Sequence, residues 1–259
     1  MDLGIAGRKA IVCASSRGLG RGCALALAQA GCEVVINGRD AKVLEATASE
    51  LRKLGNAKIT SVQADVATAD GQRKLLAACP EPDILVNNNA GPPFRDFRDL
   101  TREQILDGVI ANMVVAIELI QKVIDSMVAR KFGRIVNITS GSVKMPLAGL
   151  DLSSGARGGL TAFLAGVARS VAASNVTINF LLPGPFDTER LQSNVAASAK
   201  KRGISVEQAR KERIATVPAK RFGTPEEFGA ACAFLCSAQA GFITGQNLLM
   251  DGGLYPGTL

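Results

Sequence analysis

From one end of the chain to the other, short apolar runs alternate with longer stretches in which apolar residues recur every three or four positions. The short runs have the length and composition of buried strands, the longer ones the spacing of amphipathic helices. Strands are expected at 9–14, 33–37, 59–64, 84–87, 134–138, 177–182 and near 247–250, and helices at 20–30, 41–54 and 102–130. Gly31 and Gly55 stand where the first two helices should stop, because glycine accepts the left-handed backbone that closes a helix. This alternation predicts an α/β fold with a mostly parallel sheet covered on both faces.

One segment, 185–222, departs from the pattern. It lies between a strand that stops at Pro183-Gly184 and a helix signalled by Thr224-Pro225-Glu226-Glu227, with Thr as N-cap, Pro at the first helical position and acids in the first turn. An insertion after the carboxyl end of a strand borders the ligand crevice of an open α/β sheet. The segment, least regular up to about 218, is therefore expected to form a mobile substrate lid. No internal repeat or linker divides the chain, and 259 residues with 47% hydrophobic content suit one domain, 1–259.

Composition removes several function classes. With no histidine, zinc sites, Ser-His nucleophiles and imidazole acid/base catalysis fall away. The six cysteines sit in apolar stretches without a C-x-x-C pair and read as small buried hydrophobes in a reducing compartment. The chain opens without the layout of a signal peptide, and charges, Gly or Gln cut every apolar run short of the ~20 residues a membrane span needs. The expectation is a cytoplasmic protein without a membrane partner. The net charge of +7 invites nucleic acid, but one tyrosine and no tryptophan leave few stacking platforms, so none is expected. Part of the excess lies in the 185–222 segment, at Lys200-Lys201-Arg202, Arg210-Lys211 and Arg213. There it is either a solvated helix face or a field that steers an anionic substrate.

The candidate chemistry begins at Ser15-Ser16-Arg17-Gly18-Leu19-Gly20, a Gly-rich turn between strand and helix. Such a turn offers free N–H groups and a positive dipole to a pyrophosphate. Together with Asp65-Val66, Asn88-Asn89-Ala90-Gly91 and Pro183-Gly184 followed by Thr188, in this order, it resembles the short-chain dehydrogenase/reductase family over nearly the whole chain. The resemblance implies a Rossmann-type doubly wound sheet, a nicotinamide coenzyme and a small-molecule carbonyl or alcohol substrate. It implies that the Gly-rich turn, Asp65, Val66, Asn89, Ala90, Gly91, Pro183, Gly184 and Thr188 hold the coenzyme. Ala14 stands where the family's turn has its first glycine. No acid ends the second strand, where Asn37-Gly38-Arg39 stands, and Arg39 and Arg17 are placed to attract a 2′-phosphate, so the coenzyme is expected to be NADP (NADPH).

The same resemblance sets the catalytic expectations. Asn112 and Ser140 match the family's Asn and Ser, whereas Ser153 and Arg157 stand where it carries its Tyr and Lys. An Arg can still hold ribose hydroxyls. A Ser hydroxyl is far less acidic than a phenol of pKa ~10, so the proton is expected from elsewhere, with Lys144 the first candidate and Asp151 a weaker one. The expected function is an NADP-dependent reductase with an atypical active site, most similar to the 3-oxoacyl-acyl-carrier-protein reductases. The alternative is an inactive NADP(H)-binding member acting as a sensor or partner subunit. Small residues after Ser153 (Gly155, Ala156, Gly158, Gly159, Ala162, Ala165, Gly166) lie on a helix that packs between subunits in the family, which implies a homodimer or homotetramer.

Overall fold

The computed structural model describes residues 2–55 and 57–257. Its strands are β1 (Lys9–Val12), β2 (Glu33–Gly38), β3 (Ile59–Gln63), β4 (Ile84–Asn87), β5 (Gly133–Ile138), β6 (Val176–Pro183) and β7 (Asn247–Met250). They form one sheet in the order β3-β2-β1-β4-β5-β6-β7, every neighbouring pair parallel. The order reverses beside β1, which has β2 on one side and β4 on the other, and a ligand crevice opens at such a switch point beyond the carboxyl ends of the strands.

Successive side chains of each strand enter opposite cores. Val12 and Val86 pack with Leu27 of α1 (Gly18–Gln29), Ala48 of α2 (Ala41–Arg52) and Phe228 of α9 (Pro225–Cys236). Ile11 and Leu85 pack on the other face with Leu75 of α3 (Ala69–Ala78), Leu119 of α5 (Val115–Ala129) and Leu164 of α6 (Asp151–Val171). All six cysteines are buried and free, and burial pushes the Cys13 thiol up to about 12.

A polar chain crosses the middle of the sheet. Asn87 and Asn137 are register partners, and Asn87 Nδ2 donates to Asn137 Oδ1 at 2.9 Å. Asn137 Nδ2 donates to the Asn179 carbonyl at 3.3 Å, and Asn179 Nδ2 to that of Ile243 at 2.7 Å.

The structure departs from the sequence reading in three places. The single helix expected at 102–130 is α4 (Arg102–Val109), a π turn (Ile110–Val114) and α5. Periodicity cannot reveal one extra residue in a turn, and such bulges gather at functional sites. The segment read as least regular contains two helices, α7 (Glu189–Arg202) and α8 (Val206–Ala215), which share a small cluster of Val195, Ala199 and Ala209. Their charged faces hid a short apolar stripe. Helix α3, with a single fully buried leucine, had no expectation at all. The Thr224 N-cap, the Pro and the acids at the start of α9 stand as read, and Glu227 closes a capping box on Thr224.

Candidate active site

The Gly-rich turn after β1 is held from both sides. Ala14 has φ 45°, which ends β1 and turns the chain toward α1. Its N–H donates to Asn37 Oδ1 at 2.9 Å, and its carbonyl accepts from Asn88 Nδ2 at 3.1 Å. A Cβ on Gly20 would lie 2.5 Å from that carbonyl, so glycine is required there. Ser15 is fully buried and lies outside the cleft lining, where its hydroxyl bonds Val12 and Asn37 and ties β1 to β2. Arg17, the N-cap of α1, makes no side-chain cap bond, whereas Asp40, Thr68, Thr188 and Thr224 cap the helices they begin. The free amides of α1 thus open onto a cleft of about 740 Å³, the size and donor set that a dinucleotide's phosphates need.

Most of the expected coenzyme residues line this cleft: Ser16, Arg17, Gly18 and Leu19 from the turn, Arg39, Asp65 and Val66 from the β2 and β3 ends, Asn89, Ala90 and Gly91 after β4, and Pro183, Gly184 and Thr188 after β6. Arg17 pairs with Glu189 at 2.8 Å and Arg39 with Asp65 at 3.8 Å. Asp40 spends its carboxylate on the Lys42 and Val43 amides. Asn89 Nδ2 donates to the Ala111 carbonyl at 3.1 Å, tying this wall to the π turn.

Ser140, Ser153 and Arg157 line the same cleft. Ser140 follows β5, and its Oγ accepts from the Ser142 amide at 3.1 Å. One helical turn separates Ser153 from Arg157 on α6, and Arg157 Nη1 donates to Ser153 Oγ. Burial, then the neighbouring Arg190 charge, push the Arg157 guanidinium down to about 10. Asn112 lies in the π turn and lines a second cavity of about 20 Å³ that Arg157 also borders. Its Nδ2 donates to the Gly108 carbonyl, while its Oδ1, like that of Asn87 in the same wall, has no protein partner. A cavity of this size suits one water.

Lys144 and Gly20 lie outside the cleft lining; the Lys144 ammonium stands 5.9 Å from the centroid of the Tyr255 ring. Tyr255, the chain's one tyrosine, does line the cleft, although it is far in sequence from every motif. Arg190 also lines it, donating from Nη1 to the Gly91 carbonyl at 3.2 Å and from Nη2 to that of Pro92 at 3.0 Å. Sequence reasoning missed both. A basic residue two after Thr188 was a usable signal for Arg190, whereas only the folded chain end reveals Tyr255.

A model of the family described as enoyl-(acyl carrier protein) reductase matches residues 13–255. The NADPH-dependent reductase BacG of Bacillus subtilis (strain 168) is 31% identical over 251 residues, 95% of this chain and 97% of that protein. The 3-oxoacyl-[acyl-carrier-protein] reductase FabG of Escherichia coli (strain K12) is 30% identical over 249 residues, 96% of this chain and 98% of that one. The solved structure of L-sorbose reductase from Gluconobacter frateurii, complexed with NADPH and L-sorbose, superposes with a TM-score of 0.93 at 26% identity, covering 100% of both chains. Sheet order, the Gly-rich turn after β1 and full-length similarity agree, and the chain belongs to the short-chain dehydrogenase/reductase family of oxidoreductases.

Proposed function

We propose that this protein is an NADPH-dependent reductase that converts a carbonyl to an alcohol through an active site without the family's usual Tyr and Lys. The observation that carries the reading is that Ser140, Ser153 and Arg157 meet in the cleft that the open α1 N-terminus also faces. The chain's own residues fit the coenzyme: α1 amides for the pyrophosphate, Arg17 and Arg39 for the 2′-phosphate, Asp65 and Val66 for the adenine, Asn89, Ala90 and Gly91 along one wall, and Pro183, Gly184 and Thr188 for the carboxamide end. When bound, NADPH supplies a hydride to the carbonyl carbon.

Ser140 and Ser153 hold the substrate oxygen by hydrogen bonds. Because Ser153 Oγ accepts from Arg157, its own proton is directed toward that oxygen, and the guanidinium charge stabilises the developing alkoxide. Asn112 steadies Arg157 through the small cavity between them. Proton delivery falls to Lys144 and Tyr255, of which only the phenol lines the cleft. Segment 185–222 serves as the substrate lid, clasped to the cleft rims by Glu189 and Arg190. A homodimer or homotetramer is supported by exposed Ile105 and Leu106 on α4 and Phe163 on α6, with open space beside Gly155, Gly158 and Gly166.

A second reading, a coenzyme-binding sensor or partner subunit without turnover, is favoured by Ser153 standing where a phenol would be. Titrating NADPH by fluorescence and then following its oxidation with ketones, aldehydes, quinones and 3-oxoacyl thioesters decides between the two. Oxidation supports the reductase, and binding without oxidation supports the second reading. Lys144→Met and Tyr255→Phe should each slow turnover by roughly 10²-fold while NADPH binding is kept; unchanged rates remove that pair from the mechanism. Ser153→Tyr with Arg157→Lys should raise the rate if the rest of the cleft is catalytic.

A further inference from the structure

Two guanidiniums from separate elements converge beside the reacting groups. A Cβ built on Gly91 would lie 2.9 Å from Arg190 Nη1 and 3.0 Å from Arg157 Nη2, so both reach the same point over the Gly91 backbone. Arg157 comes from α6 and Arg190 from the first turn of α7. Among the described residues neither is in an ion pair, and the carboxylates that line the cleft are engaged elsewhere: Asp40 on amides of α2, Asp65 with Arg39, Glu189 with Arg17, and Asp251 on the Gly253 and Tyr255 amides.

Arg157 is half-buried and Arg190 keeps an exposed side, and two like charges held this close without a counter-charge repel one another and oppose folding unless something else requires them. Burial lowers the pKa of both, and at Arg157 the Arg190 charge adds to the effect. Each keeps N–H donors to spare: Arg157 spends one on Ser153, and Arg190 spends two on the Gly91 and Pro92 carbonyls, out of the five a guanidinium carries. A planar anion between them offsets one of the two charges and takes the remaining donors in the paired geometry that guanidinium and carboxylate share. Arg213, on α8 at the same cleft, adds a third positive charge to its mouth.

Resting on the reductase reading above, we infer that Arg157 and Arg190 form a carboxylate subsite, and that the substrate is an oxo acid whose carboxylate lies beside the carbonyl to be reduced. The coenzyme's phosphates could supply an anion of the same chemistry, but they have their own donors at the α1 N-terminus, Arg17 and Arg39. The substrate is the source left for an anion next to Ser153.

The test needs no turnover. Short 2-oxo and 3-oxo acids, and their neutral amides, are titrated into the protein loaded with NADP⁺, for the natural chain and for Arg190→Met, with NADPH affinity measured on both. The expected result is that at least one acid binds roughly tenfold or more tightly than its amide. Arg190→Met should erase that preference and leave NADPH affinity within about twofold. Equal binding of acid and amide throughout, binding of neither, or a preference that survives in Arg190→Met overturns the inference. A collapse of NADPH affinity in Arg190→Met also overturns it and reassigns the pair to the coenzyme's phosphates. If the acids discriminate as expected while no carbonyl compound is ever reduced, the subsite stands and the reductase reading fails.

Discussion

Gly22 of α1 and Gly229 of α9 meet backbone to backbone: a Cβ on Gly229 would overlap the Gly22 carbonyl, and one on Gly22 would overlap the carbonyl of Pro225. This contact fixes the aim of α1, whose free amides face the cleft. Gly229→Ala should therefore destabilise the fold by about 1–3 kcal/mol, the usual cost of overpacking, and weaken NADPH binding as α1 is pushed aside. Thermal unfolding and NADPH titration check both effects. A variant with unchanged melting and binding would show that the helices part freely.

Ala14 places an L-residue in left-handed backbone at φ 45°, held there by Asn37 and Asn88. Glycine takes this conformation without the Cβ clash, which for other residues costs roughly 1–2 kcal/mol. Ala14→Gly should raise stability by up to about 1 kcal/mol and leave NADPH binding equal or tighter. Chemical denaturation with a fixed slope reads the first, fluorescence titration the second.

How much of this was visible beforehand follows from the physics of each element. The strands declared themselves because parallel strands buried on both faces are continuous apolar runs, and α9 did so through Thr224 as N-cap, Pro225 after it and the acids of its first turn. Helices α7 and α8 bury only Val195, Ala199 and Ala209 as their shared cluster, too little to rise above their charge. That the Gly-rich turn after β1 and Ser140 border one cleft could be expected from local motifs. The Arg157–Arg190 convergence joins residues 33 positions apart, and Tyr255 lines the cleft after β7 with its amide donating to Asp251 at 2.8 Å. Neither relationship has a local signature.

Coenzyme preference should depend on Arg17 and Arg39. Both sit in exposed ion pairs of the kind worth little, so a doubly charged phosphate ester displaces Glu189 and Asp65 at small cost. Arg17→Ala and Arg39→Ala should each weaken NADPH roughly tenfold and leave NADH nearly unchanged. Equal losses for the two coenzymes would place these residues elsewhere than at the 2′-phosphate.

Glu227 links stability to acidity. The Arg221 guanidinium, then the Thr224 amide, hold its carboxyl at about 2, below the ordinary 4.5. A depressed folded-state value means that the contribution is complete above about 4.5 and is lost as pH falls toward about 2. Glu227→Gln keeps the capping hydrogen bonds without the charge, so it should lower the melting temperature at pH 7 by about 2 °C, with the difference vanishing at the acid end of that window. Melting curves of both proteins across the acid range test the sign.

The amides of Asn87, Asn137 and Asn179 act as an alignment key. A two-residue slide of β5 along its neighbours would leave the Asn137 amide among apolar side chains with neither donor nor acceptor matched, a penalty of about 1–3 kcal/mol for each stranded group. Sliding is thereby disfavoured, and the fixed register keeps Asn88, Ser140 and Gly184, each just past the carboxyl end of its strand, around one opening.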